Sequence, residues 1–166
     1  MNVLPDDEPR PREPADFPPS GPNSLASIGQ RALARIVDTI IIAVPAYIVV
    51  MPFVTYKGGN VTGVPAWSAF PFVVLMVLYE TVMVRTTGQT LGKMLMGVRV
   101  ARLSSGGRPD LSQSALRSLV PTSVVAIPLA AVCYPLFYLS AWFSPLRRDI
   151  PDHAGGTVVV RTRASG

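Results

Sequence analysis

Three long apolar stretches, separated by short charged segments, set the architecture of this chain. Residues 36–56 are interrupted only by Asp38 and a few small or hydroxyl side chains. Residues 66–84 carry a single charge, Glu80, and residues 119–143 carry none. A helix rises 1.5 Å per residue, so about 20 residues cross a hydrocarbon core of ~30 Å. The first two stretches are therefore predicted transmembrane helices. The third, interrupted by Pro121, Pro128 and Pro135, reads either as a single span or as a re-entrant hairpin. The predicted fold class is an all-α polytopic membrane protein with small interfacial helices and a short β-ribbon on its cytoplasmic side.

Ser24 or Ser27 is placed to cap a helix beginning near Ile28, which carries Arg31 and Arg35 before it enters the bilayer. Pro45 and Pro52 should bend that helix, as membrane helices tolerate. Residues 57–65 form a short Gly-containing loop between antiparallel spans, flanked by Tyr56 and Trp67 at the interfacial belt. Beyond the second span, Leu91, Met94, Leu95 and Val98 recur at helical spacing and predict a helix on the membrane surface. Residues 98–103 then alternate like a strand, residues 111–118 read as helix, and residues 157–160 are again β-prone.

The first 24 residues differ. Pro5, Pro9, Pro11, Pro14, Pro18, Pro19 and Pro22 alternate there with Asp6, Asp7, Glu8, Glu13 and Asp16. Such a segment has too little apolar surface to offset its ordering entropy, and a disordered acidic tail is expected. The organisation is then a tail over 1–24 and a membrane domain over 25–163. An acidic, proline-rich start is no secretory signal, so the first span should act as an uncleaved insertion signal.

Composition agrees. Charged residues make up 15% of the 166, with a net charge of +5, against roughly 25% charged in a soluble domain. The loop after the first span carries only Lys57, whereas that after the second carries Arg85, Lys93, Arg99, Arg102, Arg108 and Arg117. Positive residues favour the cytoplasm, which places the N-terminus and the long loop inside, in a multi-pass membrane protein. A single third crossing would put Arg147, Arg148, Arg161 and Arg163 outside, against that rule. A re-entrant third region would return the tail to the cytoplasm and let residues 98–103 and 157–161 pair. It would need burial in protein, by packing on the first two helices or by oligomerisation. The basic residues flank apolar spans and form no aromatic-interleaved face. Anionic lipid headgroups are thus the expected partner, with a homo-oligomer or membrane protein beside them, and nucleic acid is not.

Ionisable residues inside spans are costly and mark candidate sites. Asp38 and Glu80 each lie ~3–6 Å below the inner boundary by helical rise. They sit on antiparallel helices at similar depth. Arg35 and Arg31 precede Asp38 by three and seven residues, on its face. Arg31, Arg35, Asp38 and Glu80 are expected to form one cluster. It either locks the helices by charge cancellation or leaves a carboxylate free to handle a proton or cation. The single cysteine, Cys133, excludes an intramolecular disulfide, and the single histidine, His153, makes no metal site. The run Gly88-Gln-Thr-Leu-Gly-Lys-Met94 has the wrong spacing for a phosphate loop. Its Gly88 and Gly92 instead suit close packing. Ser140 has no base within a span. No enzyme activity and no cofactor are expected.

Several of these residues occur in a familiar order. Arg31-Ala-Leu-Ala-Arg-Ile-Val-Asp38, Gly88-Gln-Thr-Leu-Gly-Lys93 continuing through Gly97-Val-Arg-Val100, Arg117, Arg147-Arg148 through Asp152, and Gly156-Thr-Val-Val-Val160 together resemble the RDD family of small bacterial membrane proteins. The family is named for one arginine and two aspartates, which the resemblance places at Arg31, Asp38 and Asp152. It departs at Pro151, where the family usually has histidine. The resemblance implies an ion-handling role, including sodium or proton exchange proposed for some members. The expected function is transport or exchange of an ion or small solute through Arg31, Asp38 and Asp152, supported by Arg35 and Glu80. A membrane scaffold or regulatory subunit is the alternative.

Overall fold

The computed structural model describes residues 13–123, 138 and 140–163. Helix α1, Ile28–Val50, opens with a capping box. Ser27 Oγ accepts from Gln30 N and Gln30 Oε1 accepts from Ser27 N. The helix thus begins a turn or more outside the apolar stretch and carries Arg31 and Arg35 on its ordered first turns. It ends in a short 3-10 turn, Met51–Phe53. The loop that follows is a hairpin rather than an irregular connection. Strands β1, Thr55–Lys57, and β2, Asn60–Gly63, pair antiparallel. Gly58 and Gly59 supply the two positive φ angles, 58° and 81°, that a tight two-residue turn requires.

Helix α2, Ala69–Thr87, returns antiparallel to α1 and ends at Gly88, whose φ is 75° and whose N–H donates to Val84 O. The apolar faces of these two helices point outward. Ile36, Ile40, Val44, Ile48, Leu78 and Val82 are exposed, while Asp38 and Glu80 are 1% exposed. Only 22% of the most apolar window of each helix is buried, where the core helix of a water-soluble protein would bury most of it. Both helices are long and apolar enough to cross a bilayer.

Helix α3, Leu91–Leu95, strand β3, Val98–Arg102, helix α4, Leu111–Thr122, helix α5, Ile150–Ala154, and strand β4, Thr157–Arg161, gather at the end of the pair where α1 starts and α2 stops. α3 packs on α1, α4 on α2, and α5 on α4. β3 and β4 pair antiparallel, with Val100 opposite Val159. Ala26, Val84, Val98, Val100 and Val159 form one core cluster; Ala101, Leu103, Val158 and Val160 form a second.

The far edge of β4 is covered by the chain just before α1. Asn23 N donates to Arg161 O at 2.9 Å, Arg161 N to Ser24 O at 2.8 Å and Ala26 N to Val159 O at 3.0 Å. Phe17, Leu25 and Leu146 pack on the second core cluster. Residues 13–24 therefore depart from the expected disorder. Their few apolar side chains find a partner face on the ribbon, and their backbone groups close its edge. Residues 1–12 lie outside the described residues.

The centre of the third apolar region, 124–137, also lies outside them, and with it the expected turn near Pro128 or Pro135. The two ends of the region are described. α4 leads into it from the site end of the bundle, and Ile150 N donates to Ser140 Oγ at 3.0 Å on the return. Ala141 and Trp142 line one hollow with Ser27 and Ile28, so residues 141–142 lie beside the start of α1.

Candidate functional site

Glu80, buried on α2, is the first centre. Arg35 of α1 grips it with two parallel hydrogen bonds, 2.9 Å from Nη1 to Oε2 and 3.2 Å from Nη2 to Oε1. Lys93 Nζ of α3 reaches Oε1 at 3.2 Å, and Arg117 Nε of α4 lies 3.5 Å from the same oxygen. One carboxylate therefore meets cations from three other elements. The fork of Arg35 matches carboxylate geometry, which makes it the best-formed pair of the three. Arg35 also stacks over the Tyr138 ring, 4.6 Å from its centre.

Asp152, wholly buried on α5, is the second centre. Arg31 Nη1 bonds Oδ2 at 2.5 Å, and Arg117 Nη1 bonds Oδ1. Thr157 Oγ1 donates to Oδ1 at 3.1 Å while accepting from Arg117 at 2.9 Å. Arg117, 2% exposed, thus bridges the two anionic centres. Arg148 frames the same corner through backbone carbonyls, with Nε to Thr157 O at 2.9 Å and Nη2 to Asp152 O at 3.1 Å.

Asp38 stands apart from these centres. Its carboxylate accepts from Tyr79 Oη at 2.8 Å, Thr90 Oγ1 at 2.5 Å and Gly92 N at 2.8 Å, all neutral donors. Tyr79 Oη in turn accepts from Leu91 N at 2.8 Å. Asp38 and Thr90 together tie the start of α3 onto α1. The approach is close: a Cβ on Gly92 would fall inside contact distance of the Ala34 carbonyl oxygen and 2.9 Å from Asp38 Oδ1.

The single four-residue cluster expected from helical spacing is therefore divided. Arg35 turns to Glu80, which offers two oxygens to its fork, rather than to Asp38, three residues on, whose oxygens already accept from Tyr79, Thr90 and Gly92. Arg31 turns to Asp152, 121 residues away. Spacing along one helix shows shared faces, not which neighbour supplies the better acceptor. Lys93, Arg117, Arg148 and Asp149 were outside the expected set. Each sits in a motif the sequence displays, but only the packing of α3, α4 and α5 brings them inward. His153 remains exposed, with Nδ1 2.8 Å from Asp149 O. Among the described residues no group of His, Cys, Asp and Glu side chains has metal-holding geometry.

The field of the site sets its protonation. Burial by itself would lower the Arg117 guanidinium, but Asp152 and then Glu80 outweigh it and hold its pKa above the ordinary value. Burial lowers the Lys93 ammonium against the pull of Glu80. Asp152 is held below the usual carboxylate range, because Arg117 and Arg31 outweigh its burial. Burial, and then the negative Asp152, push Asp149 up to about 6, against Arg117 and Arg31.

A pair of outward-apolar helices enclosing a buried network of arginines and carboxylates is the arrangement of a membrane protein. The chain belongs to the RDD family, which matches it over residues 25–156. That range takes in Arg31, Asp38, Glu80, Arg117 and Asp152. Comparison with curated proteins and with solved structures finds no match.

Proposed function

We propose that the protein is a small multi-pass membrane protein of the bacterial plasma membrane that transports or exchanges an ion through the buried Arg/Asp/Glu cluster. The observation carrying this reading is the Arg117 bridge. One fully buried guanidinium joins Glu80 on an apolar helix to Asp152 in the chain after the third apolar region. Burying so many charges opposes folding by several kcal/mol per ion before pairing offsets it. A purely apolar contact would hold these helices at less expense, so the charges favour a role beyond packing.

The positive-inside rule supports placing the network at the cytoplasmic face. Its end of the bundle carries Arg99, Arg102 and Arg108, while the hairpin end carries Lys57 alone. The N-terminus is then cytoplasmic. The pairing of β4 beside residues 23–26 favours a third region that enters and leaves from the same side. Few spans serve one subunit, so a pathway would be completed by a second copy or another membrane protein against the exposed apolar faces.

A second reading, a scaffold or regulatory subunit with no flux of its own, is favoured by the completeness of pairing at Glu80, which suits a structural lock. Reconstitution separates the two. Purified protein in liposomes is tested for ion flux beside Glu80→Gln, with size-exclusion profiles confirming equal assembly. Flux lost in a normally assembled variant supports transport. Absence of flux in the wild type against every ion offered, with Glu80→Gln disrupting assembly, supports the scaffold.

A further inference from the structure

Between the two carboxylate centres lies a cavity of about 20 Å³, lined by Arg31, Arg35, Lys93, Arg117, Tyr138 and Asp149 among others. That is room for about one water or an ion of similar size. Four of these residues are cations contributed by three helices. The donor capacity around the cavity exceeds its acceptors. Arg31 Nε is buried without a hydrogen-bond acceptor, Arg117 Nε is buried with no hydrogen bond although Glu80 Oε1 lies 3.5 Å away, and among the described residues Lys93 Nζ bonds Glu80 Oε1 alone. Buried N–H groups of charged side chains normally find acceptors. Among the described residues, Glu80 and Asp152 are the carboxylates that form ion pairs with these cations.

Asp149 is the acid at this cavity, and it is 3% exposed. Its carboxylate makes no ion pair among the described residues. Its one hydrogen bond comes from the N–H of Asp152 on its own helix, at 2.8 Å. The charged groups around it are Arg31 from α1, Arg117 from α4, and Arg148 and Asp152 from its own segment. Arg35 and Lys93 lie across the cavity. On β4, Thr157 is uncharged and Arg161 bonds Gln30. His153 contacts the backbone carbonyl of Asp149 and not its carboxylate.

We propose that this cavity binds one small monovalent anion of halide size, and that it does so together with a proton on Asp149. With Asp149 ionised, its charge answers the surplus of cations. With Asp149 neutral, that surplus is open to an exchangeable anion, which the spare Arg31, Arg117 and Lys93 donors can bond. Proton and anion enter as a neutral pair, so the buried charge of the site is the same before and after. A site that must keep its buried charge constant couples the two bindings in this sense. Burial and the neighbouring Asp152 push Asp149 up to about 6, which puts the switch at mildly acidic pH. The inference rests on reading the cluster as an ion-handling site, and it assigns that site an anion rather than a metal cation.

Equilibrium binding of radiolabelled chloride to the detergent-purified protein tests it, at pH 5 and pH 8 and constant ionic strength in gluconate. The expected result is saturable binding at one site per chain, about a hundredfold tighter at pH 5 than at pH 8, the ratio of protonated Asp149 at the two values. Asp149→Asn, which keeps the helix cap but cannot ionise, should bind at pH 8 as tightly as the wild type does at pH 5. Arg117→Gln should abolish binding; if it misfolds, Lys93→Gln replaces it. No saturable chloride binding by folded wild type at pH 5, or equal affinity at both pH values, overturns the proposal. Cation flux abolished by Glu80→Gln, with no chloride binding, would sink the anion assignment and leave the ion-handling reading standing. Proton-coupled chloride binding without flux of any ion would do the reverse.

Discussion

Arg31 and Asp152, 121 residues apart, form a 2.5 Å ion pair that fastens the first turn of α1 to the helix following the third apolar region. Arg31 also donates to Val159 O at 3.3 Å, so the same side chain holds β4. Removing one partner of a buried pair leaves the other uncompensated. Asp152→Ala removes the carboxylate partner of Arg31, leaves Arg117 with Glu80 alone, and should destabilise the protein by about 3–5 kcal/mol. Arg31→Ala leaves Asp152 with Arg117 and should cost less. Thermal unfolding in detergent ranks the two; an Arg31→Ala variant less stable than Asp152→Ala would contradict the shared-anion geometry.

Gly92 is the point of closest approach between α1 and α3. A methyl group there meets backbone, which cannot rotate away as a side chain can. Gly92→Ala should push α3 off α1 and cost about 1–3 kcal/mol or more, the usual penalty for overpacking. Accelerated hydrogen exchange at residues 90–95 would report the separation. Thr90→Val should loosen the same junction more mildly, since Tyr79 and the Gly92 amide still hold Asp38.

The pH dependence of stability has a sign that follows from Asp149. Its folded-state pKa, pushed up to about 6, exceeds the unfolded value of about 3.9. The folded protein therefore holds that proton more tightly, and stability falls as pH rises from about 4 through 6. The loss from this group should be about 1–3 kcal/mol, and Asp149→Asn should flatten that part of the curve. Asp152, held low, acts oppositely and below this window: its contribution is present above its unfolded pKa and fades with acid. A melting temperature in Asp149→Asn that still drops across pH 4–6 would assign the slope to another group.

Pairing of β4 with residues 23–26 requires the two segments to share one side of the membrane. Ser20→Cys and Arg163→Cys, each in a Cys133→Ala background, should show the same accessibility to an impermeant maleimide. Both should label in inside-out vesicles and neither in intact cells. Labelling of the two from opposite sides would be incompatible with the hydrogen bonds joining Asn23, Ser24 and Arg161.

The sequence alone determined the two apolar helices, the start of α1 near Ile28, and Asp38 and Glu80 as buried charges. These rest on patterns within a single segment: length, hydropathy and a capping residue beside its partner. Helical spacing put Arg31 and Arg35 on the same face as Asp38, and family resemblance added Asp152 without saying that Arg31 touches it. Only the tertiary structure decided who pairs with whom. Spacing puts Arg35 on the face of Asp38, yet Asp38 is held by Tyr79, Thr90 and Gly92 while Arg35 pairs with Glu80. Arg117, Lys93 and Asp149 read as loop or surface charges because nothing local buries them; they become interior when α3, α4 and α5 fold under the helix pair. Ion pairing depends on geometry to within an ångström and on competition among acceptors, and neither is written along the chain.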